Sequence, residues 1–358
     1  MSKHPLHVCL LTGGGDAPGL NAAVRAFVHV ATRRKILVYA SHCGFEGLLG
    51  TGGVSPLRVQ DVRGILQRGG SILGCSTRSN PFAEGASAEL ERKVVDRLRE
   101  LGIDALVLAG GDGTMGIARR LQEHGVHCVG IPKTIDADLG GTSATIGTDT
   151  AVETVTHALD ALHSTAEAHQ RVMIVEVMGR HAGWIALRSG IAGGADAVLI
   201  PEIPYQPSRV AAKIREREAL GLRFSIVVVG EGACPVGGGE LEVEPAHEGR
   251  QARLGGAGQR LAEELAACGI GADIRVTVLG HLQRGGTPTA RDRVLATRLG
   301  AHAAGLCAAR RFGRMVCTHD GRVDSITLDE ACAAEAGVDP RGELVFCARS
   351  IGIEMGAE

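Results

Sequence analysis

Two short apolar runs, Ala105 to Ala109 (ALVLA) and Cys128 to Ile131 (CVGI), break off abruptly into small and charged residues. The first enters GGDGT at Gly110 to Thr114 and then a helix; the second enters PKTIDAD at Pro132 to Asp138. Apolar stretches of this length read as buried strands. Endings of this kind mark the carboxyl rim of an open parallel sheet, where α/β folds deliver their sites. The two rims place Asp112, Thr114, Lys133, Thr134, Asp136 and Asp138 at the ends of neighbouring predicted strands. Hydrophobic residues make up 44% of the chain and aromatics only 3%, so its cores must be built from Val, Ile, Leu and Ala. That favours α/β layers over a sandwich or propeller.

Further runs fit the same layering. His7 to Leu11 reads as a buried first strand, followed by TGGGDAPG and a helix from about Leu20 to Thr32. Ile36 to Ser41 is a second strand, Arg68 to Phe82 is too rich in Gly, Ser and Pro for an element, and Ala88 to Leu101 is an amphipathic helix. LGGTSATIG, after Asp138, reads as a crossover. From Thr148 the alternation restarts. A helix reaches about Ser164, and strands are expected at Arg171 to Val177, Ala197 to Ile200, Ser225 to Val229 and Arg275 to Leu279. Helices are expected at Ser208 to Leu220, Leu254 to Cys268 and Thr289 to Ala309. This pattern indicates a second parallel α/β domain, which 358 residues can accommodate. Cys234 to Gly258 reads as an exposed insertion and the tail beyond Ala309 as irregular.

The formal charge of −2 gives no pull towards nucleic acid or a membrane surface. Ten cysteines stand singly with no C-x-x-C pair, which argues against a zinc or redox motif. No run approaches the ~18 apolar residues of a membrane span, and MSKHPLHVCLL lacks the apolar core of a signal peptide. A cytoplasmic protein is expected.

The first strand, its Gly-rich turn and the following helix form a layout in which backbone N–H groups can approach an anion at a helix N-terminus. A tight structural turn would use the same residues. In GGDGT, flanking glycines leave room for a polyphosphate, and Asp112 can hold Mg²⁺ against it; a helix-capping Asp in a tight turn is the other reading. Asp136 and Asp138 are two apart, so an extended segment would put both on one side, one facing a metal and the other a hydroxyl proton. Two exposed loop acids would look the same. Arg171 lies at one end of a predicted strand and Met178-Gly179-Arg180 at the other, with Arg275, His281 and Arg284 around another strand end. Arginines suit bidentate phosphate contacts.

Taken in order, GGGDAPGLN, AGGDGT, PKTIDAD, HQRVMIVEVMGR, GE at Gly230-Glu231 and LGHLQRGG resemble the 6-phosphofructokinase family from Thr12 to Gly286. The resemblance implies two Rossmann-like parallel-sheet domains with the active site in the cleft between them. The donor domain would take residues 1–147 plus about 283–333, and the sugar-phosphate domain 148–282 plus about 334–358. It implies transfer of a phosphoryl group from ATP to the 1-hydroxyl of fructose 6-phosphate with Mg²⁺, in a homodimer or homotetramer. Asp136 matches the family's base, while Thr134 and Arg180 match groups on the transferred phosphoryl. Asp112 and Asp138 match the metal site. Gly14, Arg78, Ser79, Gly111, Asp112, Gly113 and Thr114 match the donor site. Ile135, Met178, Gly179 and Glu231 match contacts to the sugar. Arg171, Arg275, His281, Leu282, Gln283 and Arg284 match substrate binding, chiefly of the 6-phosphate, with Arg171 and Arg275 lent by a neighbouring subunit.

Departures from the family pattern bear on the donor. Pyrophosphate users typically carry GGDD with PKTID, and many ATP users GGDG with PGTID; this chain combines Gly113 with Lys133. An Asp at 113 would repel a nucleotide's inner phosphate, so Gly113 points to ATP, with pyrophosphate as the alternative. A non-catalytic sugar-phosphate-binding paralogue and another phosphorylated sugar, such as sedoheptulose 7-phosphate, are the remaining readings. Ala137 replaces the usual Asn of TIDND. The bacterial effector site retains Arg25 but has His29, His163, Leu220 and Leu222 at basic positions, which implies weak or absent control by ADP or phosphoenolpyruvate.

Overall fold

Val8 and Leu10 face one side of the first sheet and Cys9 and Leu11 the other, all fully buried. Burial on both faces is why these strands read as unbroken apolar runs. A computed structural model of the chain describes residues 4–50, 52–77, 80–82, 88–244, 252–333 and 336–357. They form two compact units. The first holds residues through Thr150 and from Arg284 to Ala336; the second holds the other described residues, from Ala151 to Gln283 and from Gly337 onward.

The chain begins with β1 (His7–Thr12), α1 (Leu20–Arg33), β2 (Leu37–Ser41), α2 (Glu46–Leu49), β3 (Val54–Pro56) and α3 (Ala88–Glu100). There follow β4 (Ala105–Gly110), α4 (Asp112–Glu123), β5 (His127–Thr134), β6 (Ile146–Gly147) and α5 (Thr148–His169). The second unit continues with β7 (Val172–Val177), α6 (Trp184–Ala192), β8 (Ala197–Leu199), α7 (Pro207–Ala219), β9 (Ser225–Gly230), β10 (Glu242–Glu244), β11 (Arg253–Leu254), α8 (Ala257–Ala267) and β12 (Ile274–Val278). The chain returns to the first unit with α9 (Ala290–Ala308), β13 (Arg314–His319), β14 (Arg322–Thr327) and α10 (Leu328–Ala333), and closes in the second with α11 (Glu343–Ser350).

The first sheet runs β14-β13-β5-β4-β1-β2-β3, with β6 added to β5. Its centre is parallel, but β2–β3 and β13–β14 are antiparallel pairs at its two edges, so this sheet is mixed rather than wholly parallel. The α1 and α9 side chains Leu20, Phe27 and Leu299 cover one face, and α3 and α4 cover the other with Val94, Leu98, Met115 and Leu121. The α1 and α9 backbones nearly touch: a Cβ added to Gly300 would lie 2.3 Å from Ala23 O. The second unit carries an all-parallel sheet, β12-β7-β9-β8. One of its faces packs Val172, Ile174, Val227 and Val229 against Val210 and Ile214 of α7 and Leu261 and Leu265 of α8.

Three expectations need correction. The tail is ordered: Asp320 and Gly321 take φ of 47° and 75° and turn β13 into β14. Asp-Gly with both residues left-handed is the favoured two-residue hairpin turn. The segment after Cys234 does carry an exposed strand, β10, paired antiparallel with β11, but its end is buried at Leu254 and Ala257, where α8 begins. α5 continues to His169 instead of ending near Ser164. Among the described residues, no helix is long and apolar enough to cross a membrane.

Candidate active site

β1 lies between β2 and β4, so the chain leaves it on one side and returns on the other. At such a reversal the two loops that follow the strands diverge and open a crevice at their carboxyl ends. Here the connections are the loop of residues 13–19 and the turn at Gly111, where β4 passes directly into α4. Gly13 N donates to Ala109 O at 2.9 Å. Thr114, buried in the first turn of α4, fills the space between the loops: a Cβ on Gly13 would lie 2.7 Å from its Oγ1, and one on Gly110 would lie 2.2 Å away. These glycines are therefore demanded by packing. Gly14 is left-handed, with φ of 72°. Gly113 is different: it is helical, is not left-handed, and a Cβ there would meet nothing within 4 Å. Asp112 opens α4 directly after the N-cap Gly111, where a carboxylate complements the helix dipole. Asn21 buries its amide under the next loop, donating to Arg68 O and Gly69 O and accepting from Ile72 N. Arg78 and Ser79, further along that loop, lie outside the described residues.

β5 runs further than its apolar core suggests because β6 pairs with its end, Lys133 opposite Ile146 and Thr134 opposite Gly147. Lys133 is buried, and its ammonium donates to Gly13 O at 3.0 Å and to Gly15 O. Burial pushes it down to about 8; Cys75, Asp136 and Asp16 oppose that shift and Arg284 adds to it. The Thr134 carbonyl accepts from the hydroxyls of Thr145 (2.9 Å) and Thr148 (3.0 Å), and its own Oγ1 accepts from Asp136 N (3.1 Å). Ile135 and Asp136 are buried. The segment is not extended as the spacing suggested: the chain bends at Ile135 and Asp136, and Ala137 is left-handed with φ of 56°. The turn, not strand alternation, sets the directions of the two acids. Asp138 Oδ1 is buried without a hydrogen-bond partner.

Arg284 shares with His281 the short 3-10 turn Gly280–Arg284 that follows β12, as grouped, but its side chain reaches away. Its guanidinium lies on the first glycine loop, 3.4 Å from Asp16 O and so close over Gly15 that a Cβ there would be 2.3 Å away. Arg275, by contrast, is not beside His281. It sits near the start of β12, where Asp273 Oδ2 accepts from Arg275 Nε (3.1 Å) and from Arg171 Nε (2.8 Å). This trio occupies the amino end of β7 and β12. Met178–Arg180 follows the carboxyl end of β7, roughly 20 Å away for six residues at about 3.3 Å each.

At that carboxyl end the turn is tightly held. Met178 N donates to Gln283 Oε1 (3.2 Å), and the fully buried Gln283 donates in turn to Gly280 O (3.1 Å). Gly179 has φ of 140°, and a Cβ on it would lie 2.5 Å from Ala182 O. Arg180 is left-handed at φ of 53°, and its N–H donates to Glu231 Oε1 at 3.0 Å. Non-glycine residues in this region are strained and persist only where the surroundings hold them. Glu202, which the motifs did not single out, accepts from Gly183 N at 3.0 Å and from Val338 N at 2.7 Å. His281 and Leu282 are exposed. Among the described residues no three His, Cys, Asp or Glu side chains converge as a metal cage. Mg²⁺ does not need one, since it keeps waters and binds one or two carboxylates with substrate phosphates.

The sequence profile described as phosphofructokinase matches residues 7–307. The chain belongs to that family. It is 47% identical, over the full length of both chains, to a Chloroflexus aggregans protein named ATP-dependent 6-phosphofructokinase. It is also 47% identical, over 94% of this chain and 97% of the other, to an Amycolatopsis methanolica protein named pyrophosphate–fructose 6-phosphate 1-phosphotransferase. Among solved structures it is similar to the Saccharomyces cerevisiae phosphofructokinase, with a TM-score of 0.77 and 32% identity over 92% of this chain. It spans 45% of that yeast chain. Membership in the family makes the chain an enzyme.

Two outcomes test this geometry. Ala137→Asn should raise stability by roughly 1 kcal/mol, because Asn tolerates the left-handed region better than Ala; an unchanged or lower melting temperature would contradict it. For Lys133, the unfolded chain keeps its proton between pH 8 and 10.5 while the folded chain releases it. The lysine's burial penalty is therefore complete below pH 8 and fades as pH rises. Stability of the wild type relative to Lys133→Met should climb through that window by at most about 1.4 kcal/mol per pH unit. Denaturant midpoints at matched pH measure it, and a flat difference would remove the burial argument.

Proposed function

We propose that the chain transfers a phosphoryl group from ATP to the 1-hydroxyl of fructose 6-phosphate, giving fructose 1,6-bisphosphate. One observation carries the choice of donor: Gly113 has open space around it and no conformational need for glycine. A helix interior prefers other residues to Gly by up to about 1 kcal/mol, and Asp is favoured in a first turn. The fold alone would accept Asp there, so the glycine is best explained by what must lie beside it. Pyrophosphate is the second reading, suggested by Lys133. Its ammonium, however, is already engaged by the carbonyls of Gly13 and Gly15, which supports a strut for the loop more than a free phosphate ligand.

In this reading Asp136 accepts the proton of the sugar hydroxyl, a step worth on the order of 10²–10⁴ in rate. Thr134 and Arg180 hold the transferred phosphoryl, with Arg180 aimed by the Glu231 clamp on its backbone. Gly14 and Gly111–Thr114 cradle the donor, together with the expected partners Arg78 and Ser79. Ile135, Met178, Gly179 and Glu231 shape the sugar site, and His281, Leu282 and Arg284 complete it; Gln283 fixes the Met178 turn from within. Asp112 and Asp138 would hold Mg²⁺, for which the buried, unpartnered Asp138 Oδ1 is a fitting ligand. When bound, the ion neutralises charge on the phosphate oxygens during in-line transfer. Arg171 and Arg275 sit a strand length from Arg180, which supports their being lent to a second copy in a homodimer or homotetramer. The ten free thiols suit a reducing cytoplasm.

Assays of the purified chain on fructose 6-phosphate, with ATP and pyrophosphate side by side, test the donor. ATP should support the faster turnover. Gly113→Asp should lower kcat/KM for ATP by about 10²-fold or more, since a carboxylate about 4 Å from a phosphate costs several kcal/mol, while leaving the melting temperature level or higher. Near-normal ATP use by that variant would overturn the choice.

A further inference from the structure

One buried carboxylate of the first unit has no part in this mechanism. Asp292, in the first turn of α9, has no exposed surface. Its Oδ1 accepts from Gly147 N at 3.0 Å, and its Oδ2 accepts from Thr150 N at 2.8 Å and Thr150 Oγ1 at 2.6 Å. Thr289 secures it from behind. The Thr289 Oγ1 accepts from Asp292 N, its N–H donates to Thr150 Oγ1 at 3.1 Å, and its hydroxyl donates to Asp149 Oδ2 at 2.7 Å. Burial pushes the Asp292 carboxyl up in spite of these bonds, so its ionised form is not an inexpensive fold element. A helix cap worth about 1 kcal/mol could be supplied locally by Ser or Thr.

The grip leads to the proposed base. Gly147 pairs with Thr134 across β6 and β5. It is wedged so closely that a Cβ would lie 2.6 Å from Ala17 Cβ and 3.2 Å from Ile135 Cγ2. The hydroxyls of Thr145 and Thr148, on either side of β6, both end on the Thr134 carbonyl. Thr134 Oγ1 in turn holds Asp136 N. One carboxylate thus fixes the two-residue strand against which the peptides before Asp136 are set.

We propose that Asp292 is a positioning residue: by pinning β6 through Gly147 and Thr150, it sets the backbone of Thr134 to Asp136 and so the aim of Asp136. This rests on the role given to Asp136 above. Displacement of a reacting group by about 1 Å costs on the order of 10²-fold. Asp292→Asn keeps the shape but turns an amide donor towards an N–H.

The test has two arms. In the first, Asp292→Asn and Thr150→Val, assayed well below their melting temperatures, should lose about 10-fold or more in kcat with KM for both substrates within about twofold. Thr150→Ser, which keeps the hydroxyl, should restore the rate. In an Asp136→Ser background, Asp292→Asn should cost no further rate, because it acts through the same group. An unchanged kcat in the folded variants, or a full multiplicative loss on top of Asp136→Ser, would overturn the proposal. The second arm is amide exchange at Asp136, which should speed up by about tenfold or more in Asp292→Asn as the local structure opens. Unchanged exchange there refutes the positioning role even if the wild type turns over neither donor, a result that would refute the functional reading separately. Should Asp292→Asn not fold, Thr150→Val carries both arms.

Discussion

Close backbone approach at the β1–β4 reversal governs the rest of the first unit. Thr114 can fill the gap between the two loops only because Gly13 and Gly110 carry no side chain. The loop after β1 is then braced from outside by two cations, Lys133 on its carbonyls and Arg284 over Gly15 and Asp16. A loop built this way is held open without collapsing onto itself. Its cations also gain a structural duty, which is why residue type alone overstates how many positive charges are left for a ligand.

Carboxylates have a parallel double use. Glu231 holds Arg180 N, Glu202 holds Gly183 N and Val338 N, Glu176 holds Gly256 N and Gly258 N, and Asp292 holds Gly147 N and Thr150 N. In each case a carboxylate satisfies amides distant in sequence, either in a turn or where a helix begins or a strand ends. A charge-assisted acceptor is stronger than a neutral one, so these turns can hold strained residues such as Arg180 in place. Buried backbone amides need partners, and here carboxylates distant in sequence supply them.

Much of this was legible in the residues. The strand ends and the two glycine loops follow from apolar runs stopping at Gly and Asp, and those runs are continuous because both faces of the central strands are covered. The β13–β14 hairpin was legible too, through the Asp-Gly pair at 320–321 that follows the apolar run Met315 to Cys317, yet a tail judged by its irregular composition concealed it. Other features had no local signature. Nothing in DIR foretells that Asp273 gathers Arg171 and Arg275, because Arg171 is brought there by sheet pairing. Ala137 was noted as a missing Asn, but only its φ shows that the position demands a left-handed residue. Spacing misled where it assumed an extended chain: Asp136 and Asp138 are directed by a bend.

The free space at Gly113 has a consequence for descent. Where a residue is fixed by packing, changing it disturbs the fold, and selection must find compensating changes. Gly113 carries no such obligation, so a side chain can be gained there while the scaffold stays as it was. A position of this kind is free to vary on grounds other than packing, unlike Gly13 and Gly110, which the fold itself holds fixed.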